Sequence, residues 1–180
     1  MYECWGIEVD GIMYSPLDCE AFKPTNSKPS EDYVLTYFGK ETKYLIVKSI
    51  ADAGVRIKAF GFKAPYIPKS LLKHPNVEFL GRVSDEELAN LYSNALYALF
   101  AFTHEPFGYI PVESMACGAS VLTYDVQGPS ETVINGATGW LANSHEELVR
   151  LAVNCWRNGY PSWMRARCGE SARIRCQGHS

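Results

Sequence analysis

The feature that most constrains this chain is a regular alternation of short apolar segments with amphipathic ones. Six short segments are rich in β-branched and aromatic residues, which is typical of buried strands. They cover residues 33–39, 56–62, 77–81, 96–102, 119–125 and 138–143. Strand and helix patterns that alternate with short connections predict an α/β fold, in which a parallel sheet of about six strands is flanked by helices.

Helices are predicted where helical spacing of apolar residues coincides with signals for a helix end. The predicted helices cover residues 43–54, 84–95, 110–118 and 145–158. Ser84 and Glu87 stand in capping-box register, and Ser144 is the expected N-cap of the last of these helices. Gly54 is expected to end the first one. All four segments lie between predicted strands or directly after one, as helices of a parallel sheet must.

The chain divides into three parts by pattern. Residues 1–32 have little periodicity and several turn residues, so we interpret them as a lead-in segment, and residues 33–158 as the domain. Residues 159–180 form a basic tail, and the last 25 residues hold five arginines against one acid, Glu170. Two interpretations of the tail remain open. It is a terminal helix over residues 163–175 that is frayed, or it contacts an anionic membrane surface.

Composition excludes several classes of protein. The formal net charge of -3 and the isoelectric point near 5.8 argue against a nucleic-acid-binding surface. No apolar run approaches the ~20 residues that span a bilayer. The six cysteines form no closely spaced pair and follow no secretory signal, so we expect reduced thiols and a cytoplasmic protein. Cys168, Cys176 and His179 match no zinc spacing, so no metal site is expected.

One segment, HEPFGYIPVESMACG at residues 104–118, combines acids, glycine and proline after an apolar strand. Pro111 suits the first turn of a helix, where a missing N–H costs nothing. Gly108 allows another group to approach the backbone closely. The N–H groups near Gly108, Tyr109 and Ile110 would then be donors at a positive helix end. Such a helix start predicts a site for phosphate or diphosphate.

Two glutamates in this segment suit hydroxyl groups better than phosphate. Glu113, expected in the first helical turn, can accept hydrogen bonds from a diol such as ribose. Glu105, in the preceding loop, can accept from the hydroxyls of a second group, and a sugar fits that description. The alternative is structural: Glu113 is a first-turn glutamate favoured by the helix dipole, and Glu105 is a solvated loop residue.

Two lysines follow the first predicted strand in the stretch FGKETK. Lys40 and Lys43 would place ammonium groups where a departing diphosphate gathers negative charge. The stretch is not a phosphate-binding loop of the G-x-x-x-x-G-K-[ST] type, so ATP hydrolysis of that kind is not expected. The alternative is a solvated helix start, although the helix dipole disfavours cations there.

Taken together, these residues resemble a known family. EPFGYIPVESMACG, GPSETVINGATGWL and NVEFLGRVSDEELANLYSNA resemble the donor-binding half of the group 1 (family 4) retaining glycosyltransferases. The resemblance covers about residues 12–155. It implies a single Rossmann-like domain, the C-terminal half of a two-domain GT-B architecture. By this resemblance, residues 1–32 correspond to the interdomain linker.

The resemblance also implies roles for particular residues. The candidate catalytic residue is Glu105, which would contact the donor sugar, while Glu113 would contact the nucleotide ribose. The remaining candidates would bind the diphosphate, the sugar or the nucleotide, and they are Lys40, Lys43, Phe107, Gly108, Tyr109, Gly61 and Val83. His104 is given no catalytic role.

The implied reaction moves a glycosyl group from a nucleotide sugar, such as a UDP-, GDP- or ADP-sugar, to a hydroxyl group with retention at the anomeric carbon. No metal or other cofactor is implied, and the chain has no D-x-D pair. Lys40 stands where the family usually has arginine, which keeps the charge and loses bidentate contact. Family members also have another Rossmann-like domain that binds the acceptor. Two interpretations of the function therefore stay open. The chain is the donor-binding half of an enzyme that needs a separate acceptor domain, or it is a non-catalytic nucleotide-sugar-binding module or truncated relic of such an enzyme.

Overall fold

The computed structural model of the chain describes residues 18, 20–26, 29–103 and 109–176, with side chains to residue 173. Six parallel strands form its centre, and each lies within a segment predicted to be a strand. They are β1 (Val34–Phe38), β2 (Ile57–Gly61), β3 (Val77–Gly81), β4 (Tyr97–Phe100), β5 (Ser120–Tyr124) and β6 (Gly139–Ala142). The predicted α/β fold with a sheet of about six strands is therefore confirmed.

The strand order is β3-β2-β1-β4-β5-β6. The chain first builds the sheet outward from β1 to β3 and then returns to the other side of β1 with β4. This reversal places a topological switch point between the carboxyl ends of β1 and β4. In open parallel sheets, ligands bind in the crevice at such a point.

Seven helices surround the sheet in the described part of the chain. They are α1 (Tyr44–Asp52), α2 (Lys69–Leu72), α3 (Asp85–Asn94), α4 (Tyr109–Ala116), α5 (Gln127–Thr132), α6 (His145–Asn158) and α7 (Trp163–Cys176). The four predicted helices correspond to α1, α3, α4 and α6. The helices α2 and α5 were not predicted, because four and six residues are too few to show helical periodicity.

The predicted caps are present. The Ser84 hydroxyl accepts a hydrogen bond from the Glu87 N–H at 3.2 Å, and the Ser144 hydroxyl accepts one from the Glu147 N–H at 3.1 Å. Each bond satisfies one of the N–H groups that a helix start leaves without an intrahelical partner. Gly118 follows α4 with a φ of +87°, a conformation that favours glycine at a helix end.

The core consists of two apolar layers, one on each face of the sheet. Phe60, Tyr92 and Met115 belong to the layer that α3, α4 and α7 cover. Phe38, Ile50 and Leu122 belong to the layer that α1 and α6 cover, and every residue of β4 and β5 is buried. Because both faces of the central strands are covered, these strands are apolar throughout instead of alternating.

The basic tail packs against the domain. Met164, Cys168 and Ala172 recur every four residues along α7, and each is at most 2% exposed. The helix contacts α4, which carries the second glutamate of the 104–118 segment. The interpretation of the tail as a frayed helix is therefore wrong for the described part of α7, because a buried apolar stripe fixes it to the core.

Candidate functional site

The loop between β1 and α1 lies at the switch point. The Lys43 N–H donates to the Ala101 carbonyl at 2.7 Å, and Thr42 forms an antiparallel bridge with Phe102. Both partners follow directly after β4. The loop that carries Lys40 and Lys43 is thus fixed beside the residues that directly follow β4, since the carboxyl ends of parallel strands meet at one edge of the sheet.

Thr42 holds this loop in shape. Its hydroxyl accepts from the Gly39 N–H at 3.0 Å and donates to the Tyr37 carbonyl at 3.1 Å. The Tyr44 hydroxyl donates to the Gly39 carbonyl at 2.7 Å. No role was predicted for Thr42 or Tyr44 from the sequence. A threonine close to a strand-end glycine can nevertheless indicate a turn that its side chain stabilises.

Four cations at this edge have no ion pair with any described residue. Two of them, Lys40 and Lys43, follow β1, while Lys63 follows β2 and Arg82 follows β3. Lys43 is half-buried and the other three are exposed. Several cations elsewhere are paired, including Lys48 with Asp52 at 2.7 Å. Four unpaired positive charges on adjacent loops make this edge attractive to a polyanion.

Arg82 also packs against an aromatic ring. Its guanidinium carbon lies 4.5 Å from the centroid of the Phe62 ring, a cation–π contact at the ends of β2 and β3. Phe62 is 54% exposed, which is unusual for so large an apolar side chain. The position of FGF (60–62) at the end of the second predicted strand indicates this edge for Phe62 from the sequence alone, whereas Arg82 was missed, since a single exposed side chain after a strand carries no periodic signal.

Gly61 and Val83 lie at the same edge, and each also has a structural role. Gly61 pairs with Phe38 at a φ of +137°, and an added Cβ would lie 2.4 Å from the Phe38 carbonyl oxygen. Only glycine therefore fits there without strain. Val83 is half-buried against the core layer that contains Phe60. Their predicted contacts with a nucleotide stay predictions.

The helix α4 begins at Tyr109, one residue earlier than the sequence indicated. Glu113 is consequently the fifth residue of this helix, and its predicted place in the first turn is wrong. Pro111 is the third residue, so the helix can begin ahead of it without losing an intrahelical hydrogen bond. Glu113 therefore lies one turn away from the helix start where an anion would bind.

Glu113 is half-buried beside α3. Burial raises the pKa of the Tyr92 phenol well above its ordinary range, and the charge of Glu113 adds to that shift. Burial and the same charge raise the pKa of the Cys117 thiol to about 12. Cys117 is therefore a neutral, unreactive thiol near pH 7.

Three predicted site residues, Glu105, Phe107 and Gly108, lie outside the described residues, as does His104. The structure does bring Lys40, Lys43, Gly61, Val83 and Tyr109 to one edge of the sheet, with Glu113 on the adjoining helix.

Two kinds of structural feature are absent from the described ranges. No group of three or more His, Cys, Asp or Glu side chains there has the proximity needed to hold a metal ion. No helix within those ranges has the length and apolarity that crossing a bilayer requires.

Comparison with known proteins places this geometry in a family. The family profile described as "Glycosyl transferases group 1" matches residues 20–175. A probable sucrose-phosphate synthase of Thermosipho melanesiensis is 30% identical over 150 residues, which are 81% of this chain and 35% of that protein. A D-inositol 3-phosphate glycosyltransferase of Gordonia bronchialis is 32% identical over 106 residues, 56% of this chain and 22% of its own length.

A solved structure has the same fold. HepE of Anabaena, determined in complex with UDP and glucose, matches with a TM-score of 0.75 and 19% identity over 92% of this chain and 52% of that one. The chain thus spans about a third of the curated relative from Thermosipho and about half of HepE. The family resemblance seen in the sequence is confirmed. With a profile that matches most of its length, the chain belongs to the group 1 glycosyl transferases.

Proposed function

We propose that the switch-point edge binds a nucleoside-diphospho-sugar, and that this domain is the donor-binding half of a retaining glycosyltransferase. The observation that carries the proposal is the set of four cations without an ion pair, on the loops after β1, β2 and β3. A diphosphate is a compact polyanion, and the crevice of a parallel sheet is where nucleotides bind.

Lys40 and Lys43 bind the diphosphate in this proposal. Hydrogen bonds from Thr42 and Tyr44 hold their loop in one conformation before the donor arrives. Preorganised positive charge costs no rearrangement during the reaction, and it stabilises the negative charge that grows on the leaving diphosphate. The lysines then neutralise the charge that a metal ion neutralises in other enzymes, so no cofactor is required.

Glu113 accepts hydrogen bonds from the ribose hydroxyls. Its half-buried position strengthens such bonds, because water competes less for the carboxylate. Tyr109 and the preceding Phe107 and Gly108 line the phosphates and the sugar, and Glu105 contacts the sugar at the reacting carbon. Gly61 and Val83 flank the nucleotide.

The reaction proposed is transfer of the sugar to an acceptor hydroxyl with retention at the anomeric carbon. HepE, solved with UDP and glucose, and the relatives named as glycosyltransferases support a nucleotide sugar as donor. The described residues form one sheet with one switch point. We therefore propose that a separate domain or chain binds the acceptor. We also propose that the protein works in the cytoplasm.

Titration calorimetry tests donor binding. UDP, GDP, ADP and a sugar conjugate of each are titrated into the protein, and at least one is expected to bind. Lys40→Ala should weaken that binding, whereas Lys58→Ala, which removes an equal charge from the opposite end of β2, should not. Absence of binding heat with all of the nucleotides contradicts the proposal.

The ribose contact has its own test. Glu113→Gln preserves shape and removes charge, and it should weaken nucleoside diphosphate binding by about 1–3 kcal/mol through lost charged hydrogen bonds. Glu170→Gln on the distant face of α7 is the matched control. If Glu113→Gln binds as tightly as the parent, the ribose role is wrong even where Lys40→Ala supports the diphosphate site.

A further inference from the structure

The connection between β2 and β3 encloses a groove that shares only Lys63 with the cations of the proposed donor site. The groove has a volume of about 500 Å³ and is lined by Lys63, Ala64, Pro65, Ile67, Lys69, Leu72 and Lys73. Ile67 is 3% exposed and anchors this connection to the core. The floor of the groove is apolar, while its lysines supply positive charge.

The charge of this connection contrasts with that of the whole protein. Residues 62–73 contain three lysines and no acid, although the complete chain has a formal net charge of -3. Lys63, Lys69 and Lys73 are exposed and form no ion pair with a described residue. Three unpaired ammonium groups around an apolar floor suit a ligand that is anionic at one end and apolar at the other.

Aromatic side chains lie beside the groove. Phe62 is 54% exposed and Tyr66 is 48% exposed. The Tyr66 ring lies 6.3 Å from the Tyr44 ring, centroid to centroid, so it is supported from one side and open on the other. Half-exposed aromatic rings among lysines are favoured at the boundary between water and lipid, where one part of the ring is apolar and the other wet.

We propose that residues 62–73 dock on the surface of an anionic lipid bilayer. The lysines contact lipid headgroup phosphates, and Tyr66 and the groove floor meet the first methylenes of the chains. The other class of partner with matching charge is an acidic peptide helix. However, α2 has only four residues, a length of about 6 Å, which is too short to seat a helix of several turns.

Among the five arginines of the last 25 residues, two are engaged by other groups of the protein. Arg165 of α7 donates to the carbonyls of Ser93 and Ala95 and pairs with Glu31, so it is used inside the protein. Arg167 pairs with Glu170. The basic surface on which an anionic bilayer fits best is therefore the β2–β3 connection.

Vesicle sedimentation tests the proposal with the full chain. The protein should sediment with vesicles of phosphatidylcholine mixed with phosphatidylglycerol at low salt, and remain in solution with phosphatidylcholine alone. The double variant Lys69→Gln/Lys73→Gln should partition about 30-fold less, since each basic residue near an anionic surface contributes about fivefold. Tyr66→Ala should weaken partitioning onto the vesicles by the same factor at low and at high salt, because the contribution of the Tyr66 ring is apolar.

The control is Arg157→Gln/Arg173→Gln, which removes two exposed cations without an ion pair among the described residues, on α6 and α7. Circular dichroism and the melting temperature show whether each variant is folded. Equal loss in the control, or no sedimentation of the parent with anionic vesicles, overturns the proposal. Binding of an acidic peptide with no binding to vesicles also overturns it.

Lys63 belongs to both surfaces, so the test of membrane binding uses the two lysines that the donor site does not include. Lys69 and Lys73 belong to α2 and the residue after it, outside the proposed diphosphate loop. Titration of nucleotides into Lys69→Gln/Lys73→Gln should match the parent protein. Failure of membrane binding and failure of donor binding are therefore measured separately.

Discussion

Two fully buried tyrosines differ in whether the hydroxyl has a partner. The Tyr97 hydroxyl donates to the Ala152 carbonyl at 2.7 Å. The Tyr92 hydroxyl is enclosed by the core and has no hydrogen-bond partner among the described residues. An unsatisfied buried hydroxyl costs free energy, whereas a satisfied one stabilises modestly.

The two corresponding phenylalanine variants should therefore behave oppositely. Tyr97→Phe should lower the free energy of unfolding by about 1 kcal/mol, because the buried hydrogen bond from its hydroxyl to the Ala152 carbonyl is lost. Tyr92→Phe should leave it unchanged or raise it by up to about 1 kcal/mol. Urea denaturation of the two variants measures both changes. A loss in Tyr92→Phe as large as that in Tyr97→Phe would show that the Tyr92 hydroxyl is satisfied after all.

At the scale of elements, α7 is fastened by one side chain as well as by its apolar stripe. The Arg165 guanidinium donates to the Ala95 carbonyl at 3.1 Å and to the Ser93 carbonyl, and it lies 3.3 Å from the Glu31 carboxylate. The two carbonyls belong to the end of α3 and the residue after it, where intrahelical partners run out. Arg165 thus satisfies carbonyls of one helix from another.

Arg165→Ala should lower the free energy of unfolding by about 2–3 kcal/mol, since hydrogen bonds to a charged group are lost and the carbonyls lose their partner. Arg167→Ala is the matched control on the same helix. Its ion pair with Glu170 is exposed at both ends and should contribute less than about 1 kcal/mol. Thermal or urea denaturation measures the difference. Equal effects of the two substitutions would show that the guanidinium does not fasten α7.

Seen as a whole, the molecule should be sensitive to alkali because the thiols of Cys117, Cys155 and Cys168 are buried. Burial raises the pKa of Cys155 and of Cys168 from 9.0 to about 11. The unfolded chain loses these protons first as the pH rises past 9. Their contribution to stability is therefore complete below pH 9 and is lost as the pH approaches 11.

Urea denaturation under reducing conditions should then show a free energy of unfolding that falls above pH 9. Each thiol contributes a slope of up to about 1.4 kcal/mol per pH unit. Cys155→Ala should remove the part of this slope that one thiol contributes. The substitution also lowers the free energy of unfolding through lost packing, but that loss does not depend on pH. A free energy that stays constant from pH 9 to pH 11 would contradict the proposed burial of these groups.

The sequence by itself determined the strands, the longer helices and the family. Strand composition located all six strands, and spacing placed Ser84 and Ser144 at helix starts where their hydroxyls accept the expected bonds. These signals act within three or four residues, so they can be recognised in the sequence alone. Lys40 and Lys43 were predicted for the same reason, since they follow a strand that the pattern identifies.

Only the tertiary structure decided the strand order, the attachment of α7 and which cations are left unpaired. Arg165 bonds with carbonyls about 70 residues earlier in the chain, and Lys43 is fixed by Ala101 after another strand. Glu113 lies in the second turn of its helix, since α4 extends from Tyr109 and the proline signal alone did not place that start. Contacts of this kind depend on which surfaces meet after the sheet has formed, and residue spacing along the chain does not specify them.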